Sequence, residues 1–183
     1  MPFTQATIKG LYIFEPRLFP DERGYFYESF NLKQFSEATG FEGNFVQDNH
    51  SYSTYGVMRG LHLQLPPNAQ SKLIRVVQGE VYDVAVDLRK KSETYGQYFG
   101  VILSSENKKQ FFIPQGFAHG FVVLSQTAEL LYKCDNYYAP QSESGILYND
   151  EDINIDWKVP AEKMIVSGKD LLLKKLKDTQ ISF

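Results

Sequence analysis

Between residues 45 and 137 the chain runs in short apolar stretches, each closed by turn-forming residues. In residues 81–88, Tyr82, Val84, Val86 and Leu88 alternate with Val81, Asp83, Ala85 and Asp87. That two-residue period predicts a strand with one apolar and one mixed face. Further strand-like runs at 45–49, 57–64, 72–77, 98–103, 110–113, 119–124 and 130–137 recur roughly every ten residues, bounded by Gly, Asn, Ser or Pro. Many short, evenly spaced strands predict a mainly β fold, a sandwich or barrel such as a jelly roll. Nearer the N-terminus, residues 7–15 read as a strand, Pro16 and Pro20 bound a loop, residues 21–24 form a turn and residues 25–30 read as a second strand. One helix is predicted after Asn31 as N-cap, with Gln34 at its third position, Leu32 and Phe35 at helical spacing and Gly40 as its stop. Beyond Pro160 the alternation fades, and a short peripheral helix at 169–177 is the element placed there. No internal repeat, low-complexity tract or linker interrupts the chain, so residues 1–183 read as a single domain.

A chain of 183 residues can bury a substantial core. Aromatic residues make up 15%, which favours a strand-rich interior and supplies flat surfaces for a ring-bearing ligand. A net charge of −3 and a pI near 5.6 argue against a nucleic-acid partner, so any anion site must be a local basic cluster. No basic segment followed by an apolar run opens the chain, and no apolar stretch approaches the about 18 residues a membrane helix needs. Cys134 is the only cysteine, which excludes an intramolecular disulfide and a cysteine-rich metal site. A cytoplasmic protein is the expectation.

Chemistry concentrates first in Val57–Gln64, where Arg59 and His62 are set into an apolar run with Gly60 between them. A guanidinium fixes an anion and an imidazole moves protons near neutral pH. In a regular strand the two would face opposite ways, and a bulge at Gly60 would turn both toward one cavity. An edge-strand arginine and a satisfied core histidine fit the same stretch. The second landmark is Pro114-Gln-Gly-Phe-Ala-His119-Gly, a turn that places a histidine at the start of an inward-running strand. It resembles the second motif of the cupin superfamily, jelly-roll barrels with an internal ligand site. Metal-binding cupins add a His-x-His pair. Here the earlier strand offers only His62, so no metal is expected, although His50, His62 and His119 allow a site by count.

Several blocks in order extend the likeness: Asp-Glu-Arg-Gly (21–24), Gln-Asp-Asn-His-Ser (47–51), Arg-Gly-Leu-His (59–62), residues 79–89, Leu-Ser-Ser-Glu-Asn (103–107), residues 113–121, Tyr-Lys-Cys-Asp-Asn-Tyr-Tyr (132–138), Asn149-Asp150, Trp157 and Ser-Gly-Lys-Asp (167–170). Together, across roughly residues 7–170, they resemble the dTDP-4-dehydrorhamnose 3,5-epimerase family. Departures are Leu63 in place of an aromatic, Ser71 in place of a small residue, and Gly168 before Lys169; none removes a reactive group.

The resemblance implies a cupin-type jelly-roll β-barrel with a few short peripheral helices. It also implies a substrate that is a 4-keto-6-deoxyhexose on a nucleoside diphosphate. Inverting C3 and C5 beside a ketone needs a base, an acid on the other face and a cation near the enolate oxygen, and no redox cofactor. His62 is then the implied base, paired with Asp170, with Asp83 as a rival or additional partner. Tyr132 is the implied acid, and Lys72 holds the enolate oxygen. Arg59 and His119 contact diphosphate or sugar. Arg23, Glu28, Gln47 and Asn49 contact the nucleotide, Tyr138 stacks on the thymine, and Glu143 and Lys169 touch the nucleotide as well. The resemblance further implies a homodimer in which the exchanged N-terminal strand carries Arg23 and Glu28 to the neighbour's site. His50 and Lys133 read as structural. Three alternatives stay open: an epimerase inverting one centre or using another nucleotide sugar, a noncatalytic sugar-nucleotide-binding cupin, and a metal-dependent cupin dioxygenase.

Overall fold

The computed structural model describes residues 3–181 and 183. Its strands are β1 (Phe3–Gln5), β2 (Tyr12–Phe14), β3 (Phe19–Asp21), β4 (Gly24–Phe26), β5 (Gln47–Thr54), β6 (Val57–Gln64), β7 (Lys72–Gln78), β8 (Glu80–Asp87), β9 (Tyr98–Ser104), β10 (Gln110–Ile113), β11 (Phe117–Val123), β12 (Thr127–Cys134), β13 (Glu143–Gly145) and β14 (Ile165–Val166). Helix α1 spans Leu32–Thr39 and α2 spans Gly168–Leu171, with short 3-10 turns at Pro140–Ser142, Ala161–Lys163 and Leu176–Asp178. One sheet has the order β1-β2-β10-β7-β12-β5 and the other β13-β6-β11-β8-β9, with β14 added parallel to β6. The two sheets face each other as a jelly roll without closing into a continuous barrel.

Alternation sorts the side chains into layers. Ile74, Val76, Val81, Ala85, Phe111, Phe117, Phe121 and Leu130 pack in the core that the two sheets share. The opposite faces of β8 and β11 contribute Tyr82, Val84, Val86, Ala118 and Val122 to a second cluster, roofed by Ile146, Ile153, Trp157 and Val159. β8 is therefore covered on both sides, and its inward carboxylates Asp83 and Asp87 are fully buried. Burying a charge is costly unless it is paired and hydrogen-bonded. Asp87 accepts from Arg89, Ser92 and Thr94, and Asp83 from His119. A third cluster forms where α1 lays Phe35 on Leu73 and Phe112, behind the first sheet. The predicted caps of α1 are in place: Asn31 Oδ1 accepts from the Gln34 N–H at 3.2 Å, and Gly40 takes the left-handed conformation at φ +72°.

Three element expectations are corrected. The strand at 7–15 shortens to β2, which forms a hairpin with β1, because Gly10 at φ +100° turns the chain and the Ala6 N–H donates to the Leu11 carbonyl. The strand at 25–30 is only the end of a hairpin, β3 with β4, which closes on Gly24 at φ +130°. The helix at 169–177 shrinks to α2 and a later 3-10 turn, since the Leu147 N–H takes the Lys174 carbonyl and the Leu176 N–H goes to Asp150 Oδ2.

Candidate active site

Arg59 and His62 reach one cavity because β6 carries an extra residue. His62 pairs with His119 and Arg59 with Phe121, so Gly60 and Leu61 stand opposite the single residue Gly120. Met58 joins the outer cluster before this bulge, and Leu61 and Leu63 after it, so the inward phase moves from 57 and 59 to 62. Gly60 stands at φ +137°, and a Cβ there would lie 2.5 Å from Gly120 Cα, so the site needs glycine at this point.

The cavity measures about 490 Å³, within the range of small-ligand sites. Arg59, His62, Lys72, His119, Tyr132, Lys169 and Asp170 line it. A neighbouring recess shares His62, Lys72 and Tyr132 and adds Gln47, Asn49, Tyr138 and Glu143. Eleven of the thirteen residues singled out by sequence thus meet in one continuous region. Arg23 and Glu28 do not reach it. They lie on and after the exposed β3–β4 hairpin, where Arg23 pairs with Asp21 and Glu28 accepts from Asn31 Nδ2 at 3.0 Å. His50 and Lys133 point to the outer face and pair with Glu129 and Asp48.

His62 Nε2 lies 2.7 Å from Asp170 Oδ1, and Asp170 is 4% exposed. Asp83 faces His119 instead, with Nε2 2.9 and 3.1 Å from its two oxygens. Two imidazole–carboxylate pairs therefore sit side by side. Burial holds the His62 pKa below its ordinary value; the hydrogen bond and charge of Asp170 oppose this, and Lys72 reinforces it. His62 is thus kept neutral, with Nδ1 free of any hydrogen bond to the described residues. Burial also lowers the Lys72 pKa, against the pull of Cys134, Asp83 and Glu143. It raises that of Tyr132, with Cys134 adding to the rise and Arg59 opposing it, so the phenol keeps its proton. A deprotonated imidazole, a lysine amine and a protonated phenol thus stand together, groups that can serve proton abstraction beside a carbonyl.

At the mouth, Glu143 Oε1 accepts from Lys169 Nζ at 2.7 Å and Oε2 from the Tyr138 hydroxyl at 2.8 Å. These contacts, Lys169 first, hold the Glu143 pKa below the usual carboxylate range. Ser51, Val57, Phe121, Ile165, Val166 and Ser167 complete the lining of the main cavity and were not named as site residues from the sequence. Ser51 and Phe121 follow Asn49 and His119 by two residues on the same strands, so the period alone would have found them. Ile165 and Val166 arrive through β14, which carries no sequence signal. No three His, Cys, Asp or Glu side chains converge as metal ligands among the described residues.

A family model for dTDP-4-dehydrorhamnose 3,5-epimerase matches residues 5–178. The chain belongs to this family. Within the dTDP-4-dehydrorhamnose 3,5-epimerase family, it is 55% identical over 178 residues to the protein of that name from Shigella flexneri, covering 97% of each chain. The crystal structure of dTDP-4-dehydrorhamnose 3,5-epimerase from Elizabethkingia anophelis NUHP1 superposes with a TM-score of 0.96 at 55% identity, covering 99% of each chain. The Legionella pneumophila dTDP-6-deoxy-D-glucose-3,5-epimerase, solved in complex with dTDP-4-keto-L-rhamnose, gives a TM-score of 0.92 at 51% identity, with 96% of this chain and 93% of that one covered.

Proposed function

We propose that this chain epimerises dTDP-4-dehydro-6-deoxy-D-glucose at C3 and C5 to give dTDP-4-dehydro-β-L-rhamnose. The observation that carries the reading is the Asp170-held, neutral His62 in one cavity with Lys72 and Tyr132. The C4 ketone acidifies the protons on C3 and C5. His62 Nδ1 removes one of them, and the imidazolium formed is stabilised by Asp170. Charge moves to the C4 oxygen, where Lys72 meets it. Tyr132 then delivers its proton to the other face of the carbon, inverting it; His62 gives its proton to solvent and Tyr132 regains one from it before the sequence repeats at the second centre. Oxidation level is conserved throughout, so the step calls for no redox cofactor.

Arg59 and His119 hold the sugar and diphosphate. Gln47, Asn49, Tyr138, Glu143 and Lys169 form the nucleotide end, with Tyr138 stacking on the thymine. Arg23 and Glu28 serve the partner's site in a homodimer. Support for that comes from the hairpin that carries Arg23, which leaves Phe19 49%, Tyr25 56% and Phe26 69% exposed, an apolar surface that a second copy would cover. The setting is cytoplasmic; no helix among the described residues is long and apolar enough to cross a membrane.

The test is incubation with the 4-keto sugar nucleotide in deuterated water. Deuterium at both C3 and C5 of an inverted product is expected. Label at one centre alone reduces the activity to single inversion, and binding without any exchange overturns the enzymatic reading.

A further inference from the structure

Asp170 is carried by a helix of four residues, Gly168–Leu171, too short to hold its own geometry. Its cap is Ser167, whose Oγ accepts from the Asp170 N–H at 3.1 Å. The adjacent side chain, Lys169, reaches out of the helix to Glu143. Glu143 belongs to β13, which pairs with β6 so that Glu143 lies opposite Gln64 and Gly145 opposite His62. Its second carboxylate oxygen is fixed by the Tyr138 hydroxyl. One carboxylate thus joins the strand beside the imidazole to the helix that carries the imidazole's partner.

We propose that Glu143 is a positioning residue for the His62–Asp170 pair, pinning α2 through Lys169. This goes beyond the nucleotide contact assigned to both residues, and its catalytic consequence rests on the reading of His62 as the base. The charged and titratable groups facing the same region are Lys72 from β7, Tyr132 from β12, Tyr138 from the loop after it, His119 from β11, Asp170 and Lys169 from α2, and Arg59 from β6 itself. Among them Asp170 favours the protonated imidazole and Lys72 disfavours it. Glu143 also favours it directly, through its charge. Loosening α2 withdraws Asp170, so the tether and the bare charge of Glu143 make opposite predictions for Lys169. Cutting the tether lowers the proton affinity of His62. Merely freeing the Glu143 charge from its cation raises it.

The experiment is an NMR pH titration of the three imidazoles of the intact protein without substrate, with His62 assigned by its loss in His62→Asn. Lys169→Met should lower the His62 midpoint by a few tenths of a pH unit, the scale of a partly exposed ion pair. Glu143→Gln should lower it at least as far. The double variant should go no further than Glu143→Gln, because both cut one connection. Lys169→Arg should restore the wild-type midpoint, and His50 and His119 should not move. A rise on Lys169→Met overturns the tether in favour of the bare charge. No movement of His62 in either variant overturns it in favour of nucleotide contact alone. Because the titration uses no substrate, a wild-type protein without epimerase activity sinks the proposed function and leaves this result to be read on its own.

Discussion

Replacing Asp170 by Asn alters one atom of a 2.7 Å hydrogen bond and removes a buried charge. The carboxylate accepts from Nε2–H and so leaves the lone pair on Nδ1, the nitrogen proposed to take the substrate proton. The side chain is nearly isosteric and Asp170 is 4% exposed, so the change acts on the imidazole with little repacking. A hydrogen bond to a charged group contributes about 1.5–3 kcal/mol. If Asn presents its oxygen, the tautomer survives and that loss from the imidazolium-like transition state slows the reaction roughly 10- to 150-fold. If Asn presents its amide nitrogen, Nδ1 carries the proton and the base is switched off, a loss on the order of 10⁴-fold for such a change beside a catalytic histidine. The acid limb of kcat/KM also has a defined sign. Burial already depresses the His62 pKa and Asp170 opposes that depression. Removing Asp170 therefore lowers the pKa further, and the limb moves to lower pH while the plateau falls. KM should change little, because Asp170 acts through His62. The assay is kcat/KM from about pH 5 to pH 9, the window in which histidine titrates. A plateau within about threefold of wild type, or a limb displaced upward, refutes the dyad.

Tyr132→Phe should leave proton abstraction in place and remove delivery to the far face, so deuterium still enters recovered substrate while inversion falls about 10²–10⁴-fold; equal loss of exchange and inversion would place the acid elsewhere. Arg23→Ala should abolish activity alone and recover part of it on mixing with a His62→Asn variant, because some mixed dimers hold one intact site; confirmed subunit exchange without recovery would refute the shared site. Burial by itself would raise the Asp87 pKa, but hydrogen bonds from Arg89, Ser92 and Thr94 overcome it and hold the carboxyl at about 2. Its contribution is therefore present above the unfolded value of 3.8 and lost as the pH falls through about 2, so Asp87→Asn should cost about 2 kcal/mol in urea unfolding at neutral pH, narrowing toward pH 2.

The strand-rich middle of the chain was legible because each strand from β6 to β12 has at least one face in a core, and burial imposes a period of two. Residues 81–88 show how far that reaches. Their second face looked mixed because Asp83 and Asp87 interrupt it, yet both are buried and answered by His119 and Arg89. Polarity in the sequence therefore did not mean exposure. The ends of the chain were less legible for a different reason. β13, β14 and α2 are three, two and four residues long, and specific partners rather than propensity hold them: β6 for the strands, the local Ser167 cap and the Lys169–Glu143 ion pair for the helix. A pattern needs several residues to be seen, and these elements are too short to show one.

The site was legible in its residue types, and its phase was legible only through the bulge that Gly60 allows. Arg59 and His62 are an odd number of positions apart, so no regular strand can point both inward. The extra residue at Gly60–Leu61 supplies the missing half-period, and Gly120 across the ladder supplies the space. The same shift lets one strand serve two layers, with Met58 before the bulge and Leu61 after it in the outer cluster. The proposed catalytic histidine and anion-binding arginine on one strand thus depend on two glycines that pack closely and carry no chemistry of their own. Which carboxylate pairs with His62 had the same character. Asp83 is closer in sequence and in the same sheet, two strands over, but the ladder sets it opposite Phe121 and beside His119. Asp170 lies 108 positions away from His62 and arrives only when the C-terminal segment adds β14 and α2 to the free side of β6. The base is therefore complete only in the fully folded chain. Loss of the last structured segment should silence His62 before it disturbs the two-sheet core, whose residues lie outside that segment.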